Sequence, residues 1–238
     1  DSGRKTTVTI PGGATQISER YIDGKTKSVT GTGVTDQYYE YGIDAGTGWQ
    51  WTKISTGSSN SPAWTKTYTD LLGRTIREEK PGFGGVVLTN NYTYNSIGQL
   101  VKVSGFGGMA PTCYEYDSLG NQTRSGQDIN GDGDLDLASM DRIQEQETLF
   151  EEISGDWWQK SVQKMYSTYN SSVAITSGII RTRLSGFTGD IIAESKSIDI
   201  LGNETVSQTE VDRDTRTVTQ TVNVPDSTTN AVTISING

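Results

Sequence analysis

One short phrase recurs along this chain and constrains its fold more than any other feature. Its fullest form is Tyr114-Glu115-Tyr116-Asp117-Ser118-Leu119-Gly120-Asn121-Gln122. Related forms are Tyr68-Thr69-Asp70-Leu71-Leu72-Gly73-Arg74 and Tyr92-Thr93-Tyr94-Asn95-Ser96-Ile97-Gly98-Gln99-Leu100, with a fainter copy at Ile198-Asp199-Ile200-Leu201-Gly202-Asn203-Glu204. In each, Asp or Asn stands three residues before a Gly that a polar residue follows. Positions 70, 95 and 117 are spaced by 25 and 22 residues, as in a repeat array.

The phrase spells a hairpin. Tyr92 and Tyr94, or Tyr114 and Tyr116, are two residues apart and put two rings on one face of an extended strand. The Asp or Asn that follows bonds to nearby backbone amides and starts a turn. The Gly then takes positive φ without a Cβ clash. A return strand leaves the turn, as in Gln99-Leu100-Val101-Lys102-Val103. A single hairpin is marginal in water, so the units must pair edge to edge.

These segments resemble the YD repeats of bacterial Rhs and wall-associated proteins, Tc-toxin shell components and teneurins. The likeness is clearest over residues 65–126, with echoes at Tyr21-Ile22-Asp23-Gly24 and from Ile198 to Val206. Asn95 replaces the usual Asp in one copy, and the copy at Thr67 to Gly82 keeps a single Tyr. The resemblance implies antiparallel β-hairpin repeats in an extended, twisted or curling sheet, a fragment of a shell with little helix. It implies a structural motif and carries no catalytic residue. It also implies a longer parent chain and an encapsulated or displayed domain as partner.

Composition agrees with a thin, all-β architecture. Of 238 residues only 32% are hydrophobic, while 28 glycines suit frequent turns. Eleven Tyr and five Trp in alternating stretches argue against disorder. A net charge of −9 without a basic stripe disfavours a nucleic-acid partner. No apolar run approaches the ~20 residues of a membrane-spanning helix. Cys113 is the single cysteine, reads as a buried side chain beside Tyr114, and excludes an internal disulfide. The organisation expected is one hairpin-repeat module over 1–238, an excised piece of a longer extracellular or cell-surface bacterial protein. Within it, degenerate strands occupy 1–64, clear repeats 65–126, a metal loop 127–142 and further hairpins 143–238.

The metal loop is the sharpest chemical motif. Asp128-Ile129-Asn130-Gly131-Asp132-Gly133-Asp134-Leu135-Asp136-Leu137 places oxygen ligands at positions 1, 3 and 5 (Asp128, Asn130, Asp132), a carbonyl at 7 (Asp134) and Asp136 at 9. Gly133 at position 6 permits the reversal that wraps an ion, and Ca²⁺ is the cation expected. Ser139 stands where an EF-hand has its bidentate Glu, and Asp141 is a candidate later ligand. The loop is closer to those of FG-GAP and thrombospondin-like proteins, which implies a structural ion rather than a sensor.

Elsewhere the chain reads as short strands, with two long ones from Ile143 to Met165 joined at Ser154-Gly155-Asp156. A helix through Met140, Ile143, Glu147 and Phe150 is the competing reading of that stretch. Trp49 and Trp51 share one strand face, whereas adjacent Trp157 and Trp158 must face opposite ways. These four indoles serve as core packing, or as the stacking platform of a carbohydrate-binding module. Zero histidines removes Ser-His-Asp and Cys-His triads and the usual zinc sites. Glu145, Glu147, Glu151 and Glu152 leave a polysaccharide-degrading enzyme as a third option, although such a run suits a solvated face. The leading expectation is therefore a non-catalytic scaffold.

Overall fold

Thr, Val, Ile and Tyr alternate with polar residues between Gly-bearing turns, the pattern of half-buried strands. The computed structural model describes residues 4–166, 169–225 and 231–236. The protein is all-β and antiparallel, as the repeats predict. The chain divides into two compact units, 1–112 and 113–238, with the boundary inside the stretch of recognisable repeats.

The first unit comprises β1 (Lys5–Thr9), β2 (Thr15–Arg20), β3 (Thr26–Thr30), β4 (Gln37–Ile43), β5 (Gln50–Thr56), β6 (Trp64–Thr69), β7 (Thr75–Pro81), β8 (Val87–Tyr94) and β9 (Leu100–Val103). Each pairs antiparallel with the next in sequence. The second unit continues with β10 (Thr112–Tyr116), β11 (Gln122–Gln127), β12 (Arg142–Ile153), β13 (Asp156–Met165), β14 (Ile175–Arg183), β15 (Ile191–Asp199), β16 (Glu204–Asp212), β17 (Thr217–Asn223) and β18 (Ala231–Ile236). Here too neighbours in sequence are neighbours in the sheet. The competing helix over 140–150 is not formed. Ile143, Glu145 and Glu147 alternate with Gln144 and Gln146, and β12 pairs with β11 over 142–145 and with β13 over 144–153.

The repeated turns share one hydrogen-bond frame. Asp70, Asn95, Asp117 and Asp199 each donate their N–H to the carbonyl four residues on and accept, at their own carbonyl, the N–H of the Gly three residues on. One side-chain oxygen also accepts the N–H groups at i+2 and i+4 at 2.8–3.2 Å. The i+4 side chain closes the ring from outside. Arg74 binds Asp70, Gln99 binds Asn95, Asn121 binds Asp117 and Asn203 binds Asp199. Glycine is required at i+3 because its φ there is 79° to 90°. The same backbone frame recurs at Tyr21–Lys25 and Ile10–Ala14 without an Asx side chain at its first position.

These bonds favour the ionised carboxyl. Asp117 and Asp199 are held below the ordinary range by the Asn121 and Asn203 amides, then by the backbone N–H groups. At Asp70 desolvation pushes upward, but the backbone and guanidinium of Arg74 outweigh it.

A tyrosine from a neighbouring strand clasps two of these turns. Tyr94 donates its hydroxyl to the Thr75 carbonyl at 2.7 Å, and Arg74 lies 4.7 Å from the same ring. Tyr41 donates to the Thr26 carbonyl at 2.9 Å, with Lys25 at 4.9 Å from its ring. In both cases the residue after the turn glycine covers the ring, and the next carbonyl takes its hydroxyl. The tyrosine buries its ring while satisfying its polar tip.

The apolar interior is correspondingly small. Among the described residues the buried apolar side chains are Tyr68, Cys113, Leu135, Ile143, Trp158 and Val162. Removing the clasp hydroxyl should therefore be felt. Tyr94→Phe and Tyr41→Phe are each expected to lower unfolding free energy by about 1 kcal/mol, the usual worth of one hydrogen bond. Tyr169→Phe, at an exposed position, should change nothing, and urea denaturation of the three variants checks the contrast.

Candidate metal centre

The loop between β11 and β12 is built on a small apolar base. Cys113, Leu135 and Ile143 form a buried cluster against which Leu137 and Tyr166 pack. Leu135 faces this cluster from within the loop, so the acidic residues on either side of it are held close to the sheet. Gly126 on β11 gives the loop room, since a Cβ there would meet the Arg142 carbonyl oxygen at 2.5 Å and Leu135 at 3.1 Å. Cys113 contacts the Gly133 carbonyl at 3.8 Å, which ties β10 to the turn of the loop.

Asp128 is the best-buried member, at 1% exposure. Its two carboxylate oxygens accept the N–H groups of Gly131 at 2.6 Å and Gly133 at 3.0 Å, curling the loop around it. Each oxygen has two acceptor positions, so these amide bonds are compatible with cation ligation. Asn130 donates its amide to Asp132 at 2.7 Å, while Asp132 and Asp134 donate their N–H groups to the side chains of Asn130 and Asp132.

Asp141 closes the loop. It is buried, and its carboxylate accepts the N–H groups of Ile129 at 2.8 Å and Asp136 at 3.0 Å. Both ends of the acidic segment thus hang from one carboxylate. Sequence reading reached Asp141 only as a later ligand. The signal for its latch role is an Asp just before the apolar start of β12, which spacing alone does not separate from a ligand.

The structure therefore brings Asp128, Asn130, Asp132, Asp134 and Asp136 into one loop, stabilised by hydrogen bonds within it. Among the described residues no group of three or more His, Cys, Asp or Glu side chains converges in a metal-holding arrangement. The donor set is nonetheless all oxygen, which fits a hard cation such as Ca²⁺ better than a transition metal. Its like charges are also in conflict. The carboxyl of Asp136 is held above the ordinary range by its hydrogen bond with Asp132, then by the charge of Asp132, by partial desolvation, and by Asp141 and Asp134.

The four indoles singled out in the sequence go to different places. Trp51 lies over Gly42, its cross-strand partner, so closely that a Cβ there would overlap the indole. Lys66 stands 4.2 Å from the Trp51 ring and 4.7 Å from Tyr68, while Arg77 stands 4.6 Å from Tyr68 and 5.2 Å from Trp49. Trp49 and Trp51 thus belong to a ladder of alternating cations and aromatics on one face of the first unit. In the second unit Trp158 is buried beneath Lys196, whereas Trp157 is half-exposed on the opposite face.

The acidic run on β12 is divided between faces in the same way. Glu145 is bound by Arg124 at 3.0 Å and Lys164 at 3.2 Å, and Glu151 by Arg181 at 2.6 Å and Lys160 at 3.4 Å. Desolvation raises the Glu145 carboxyl, but its two cationic partners outweigh that and hold it low. These carboxylates are ion-pair partners along the sheet. Glu147 joins them through Lys164 at 2.8 Å, while Glu152 is exposed on the other face.

No protein-family model matches the chain, and no curated protein matches it.

A carboxyl whose pKa is raised by folding stabilises the fold below its unfolded pKa, and that contribution is lost as pH rises through the folded value. At neutral pH without divalent cations, ionised Asp136 therefore strains the loop. Asp136→Asn is expected to raise the melting temperature in chelator, and to fall below wild type once millimolar Ca²⁺ is added. Differential scanning calorimetry in the two buffers checks the reversal.

Proposed function

We propose that this chain is a non-catalytic scaffold module of the YD-repeat type, a part of a larger extracellular or cell-surface bacterial protein. The observation that carries this reading is the repeated clasp. Turn, cation, tyrosine ring and carbonyl recur as one unit at Lys25–Tyr41 and Arg74–Tyr94, and the Asx turn frame recurs in both compact units. Strands that pair with their sequence neighbours make stability a sum of local terms, which suits a wall extended by adding hairpins. The work is mechanical: a hydrogen-bonded ribbon that encloses or displays another part of the parent protein. The absence of histidine from the sequence is consistent with a task that needs no proton transfer near neutral pH.

In this reading the 128–141 loop is a corner set by Ca²⁺. Asp128, Asn130, Asp132, the Asp134 carbonyl and Asp136 supply oxygens, and the ion offsets the carboxylate crowding that holds the Asp136 carboxyl above its ordinary range. Binding to the folded chain alone stabilises it by about 2.7 kcal/mol when the ion is at 100 times its dissociation constant. The melting temperature is therefore expected to rise with Ca²⁺ between micromolar and millimolar concentration, and less with Mg²⁺. A flat titration would remove the ion from the proposal.

The scaffold itself is tested by excision. Deleting residues 95–116 joins Tyr94 directly to Asp117 and removes one repeat in register. The shortened chain is expected to retain its β circular dichroism and a cooperative melt at lower temperature. Loss of all folded signal would show that the hairpins are not interchangeable units, and the scaffold reading would fail.

A further inference from the structure

The two faces of the second unit differ in a way that composition conceals. From β12 to β15 the charged side chains lie on the more buried face. There Arg124, Glu145, Lys164 and Glu147 form one ion-pair chain, and Arg183 pairs with Glu194 and Asp156 in another. Trp158, Val162 and Ile143 share that face and are buried with them. The opposite face is exposed and uncharged through its interior, carrying Gln144, Gln146, Gln159, Ser161, Gln163 and Thr182, with the exposed Ile180 among them. Its charges, Arg142, Glu152 and Asp199, stand at strand ends.

Two aromatic rings stand on this neutral face. Phe150 is 64% exposed and Trp157 50% exposed. Phe150 pairs with Gln159, which lies two residues from Trp157 on the same face, so the rings are diagonal neighbours about 7–8 Å apart at the backbone. Leu184, joined to Trp157 through its backbone N–H at 2.7 Å and itself exposed, extends the platform. The other four tryptophans each have a cation over the ring: Arg77 on Trp49, Lys66 on Trp51, Lys53 on Trp64 and Lys196 on Trp158. Among the described residues Trp157 is the indole whose face no cation covers. A depression of about 340 Å³ opens beside these strands among Thr123, Ser125, Gln144, Gln146 and Gln163, and its lining also includes Arg124, Glu145 and Lys164, which pair with one another.

We propose that this face binds a neutral polysaccharide, with Phe150 and Trp157 stacking on pyranose rings and the glutamine amides bonding to sugar hydroxyls. The argument is one of chemical complementarity. Amides and hydroxyls both donate and accept, as sugar hydroxyls do, and aromatic faces pack against the C–H face of an equatorially substituted ring. A polyanion would find no cation in the interior of the face, and a polycation no carboxylate. A second copy of the chain needs a broader apolar centre than this narrow platform among amides. The assignment is independent of the calcium loop and of the scaffold reading.

Affinity gel electrophoresis of the full chain through laminarin and hydroxyethylcellulose, with alginate as the anionic comparison, tests it. The neutral glucans should retard wild type and alginate should not. Trp157→Ala should weaken retardation about 10-fold and Phe150→Ala several-fold, as loss of an aromatic contact implies, while Trp157→Phe keeps most of it. Both positions are exposed, so melting temperatures should be unchanged. The proposal is overturned if neither glucan binds, if Trp157→Ala binds as wild type does, or if alginate binds equally well. It is also overturned if sedimentation shows that Trp157 instead holds two copies together without glycan binding.

Discussion

The carboxamide or carboxylate oxygen at the start of each repeat turn accepts two backbone N–H groups at once, and the register of the strands that follow depends on it. A two-residue aliphatic tip such as Leu71-Leu72 has no turn preference of its own, and both leucines are exposed. Asp70 supplies the missing specification by fixing the amides of Leu72 and Arg74, and Gly73 by adopting positive φ. With the turn set, Arg74 is placed over Tyr94 and the Thr75 carbonyl is presented to its hydroxyl. One side-chain oxygen therefore aligns a hairpin and its neighbour together.

That local closure explains how so little apolar burial suffices. Stability is distributed through strand pairing, turn clasps and side chains lying flat along the sheet. In the first unit the flat layer is the cation and aromatic ladder from Trp51 through Lys66 and Tyr68 to Arg77 and Trp49. In the second it is the ion-pair chain of Arg124, Glu145, Lys164 and Glu147, on the face that also buries Val162 and Trp158, with Lys196 over the Trp158 ring. Long Lys and Arg stems supply the apolar cover that a second sheet would provide in a sandwich, while their heads remain paired. The opposite face of the second unit is then left to hydroxyls, amides and a few exposed apolar side chains, Phe150, Trp157 and Ile180 among them.

The acidic loop follows a different logic from the repeat turns. At Asp117 the N–H groups of Leu119 and Asn121 and the Asn121 side-chain amide all donate to the carboxylate, so ionisation is favoured. At Asp136 the carboxyl of Asp132 is the leading influence and ionisation is opposed. The loop carries a mutual repulsion that the sheet around it does not, anchored below by Leu135 and latched by Asp141. Under the proposed reading, this corner is the point at which cation concentration would act on stability.

Sequence alone determined the hairpins. Asx, Gly and Tyr at fixed spacing encode turn and strand through interactions that span a few residues, so Asp70, Asn95, Asp117 and Asp199 could be read directly. The long hairpin joined at Ser154-Gly155-Asp156 was less legible, since a helix competed for its first strand until strand pairing decided it, but the opposition of Trp157 to Trp158 follows from side chains alternating along a strand. What only the tertiary structure decided is which face of each strand would be buried and what would cover each ring. Glu145 on the covered face and Gln146 on the exposed one reverse the usual expectation. Sequence periodicity gives alternation without sign, and the sign came from cross-strand partners such as Arg124 and Lys164, 21 and 19 residues away. The same limit hid the latch at Asp141 and separated Trp157 from the covered indoles, since each depends on neighbours that strand pairing alone brings together.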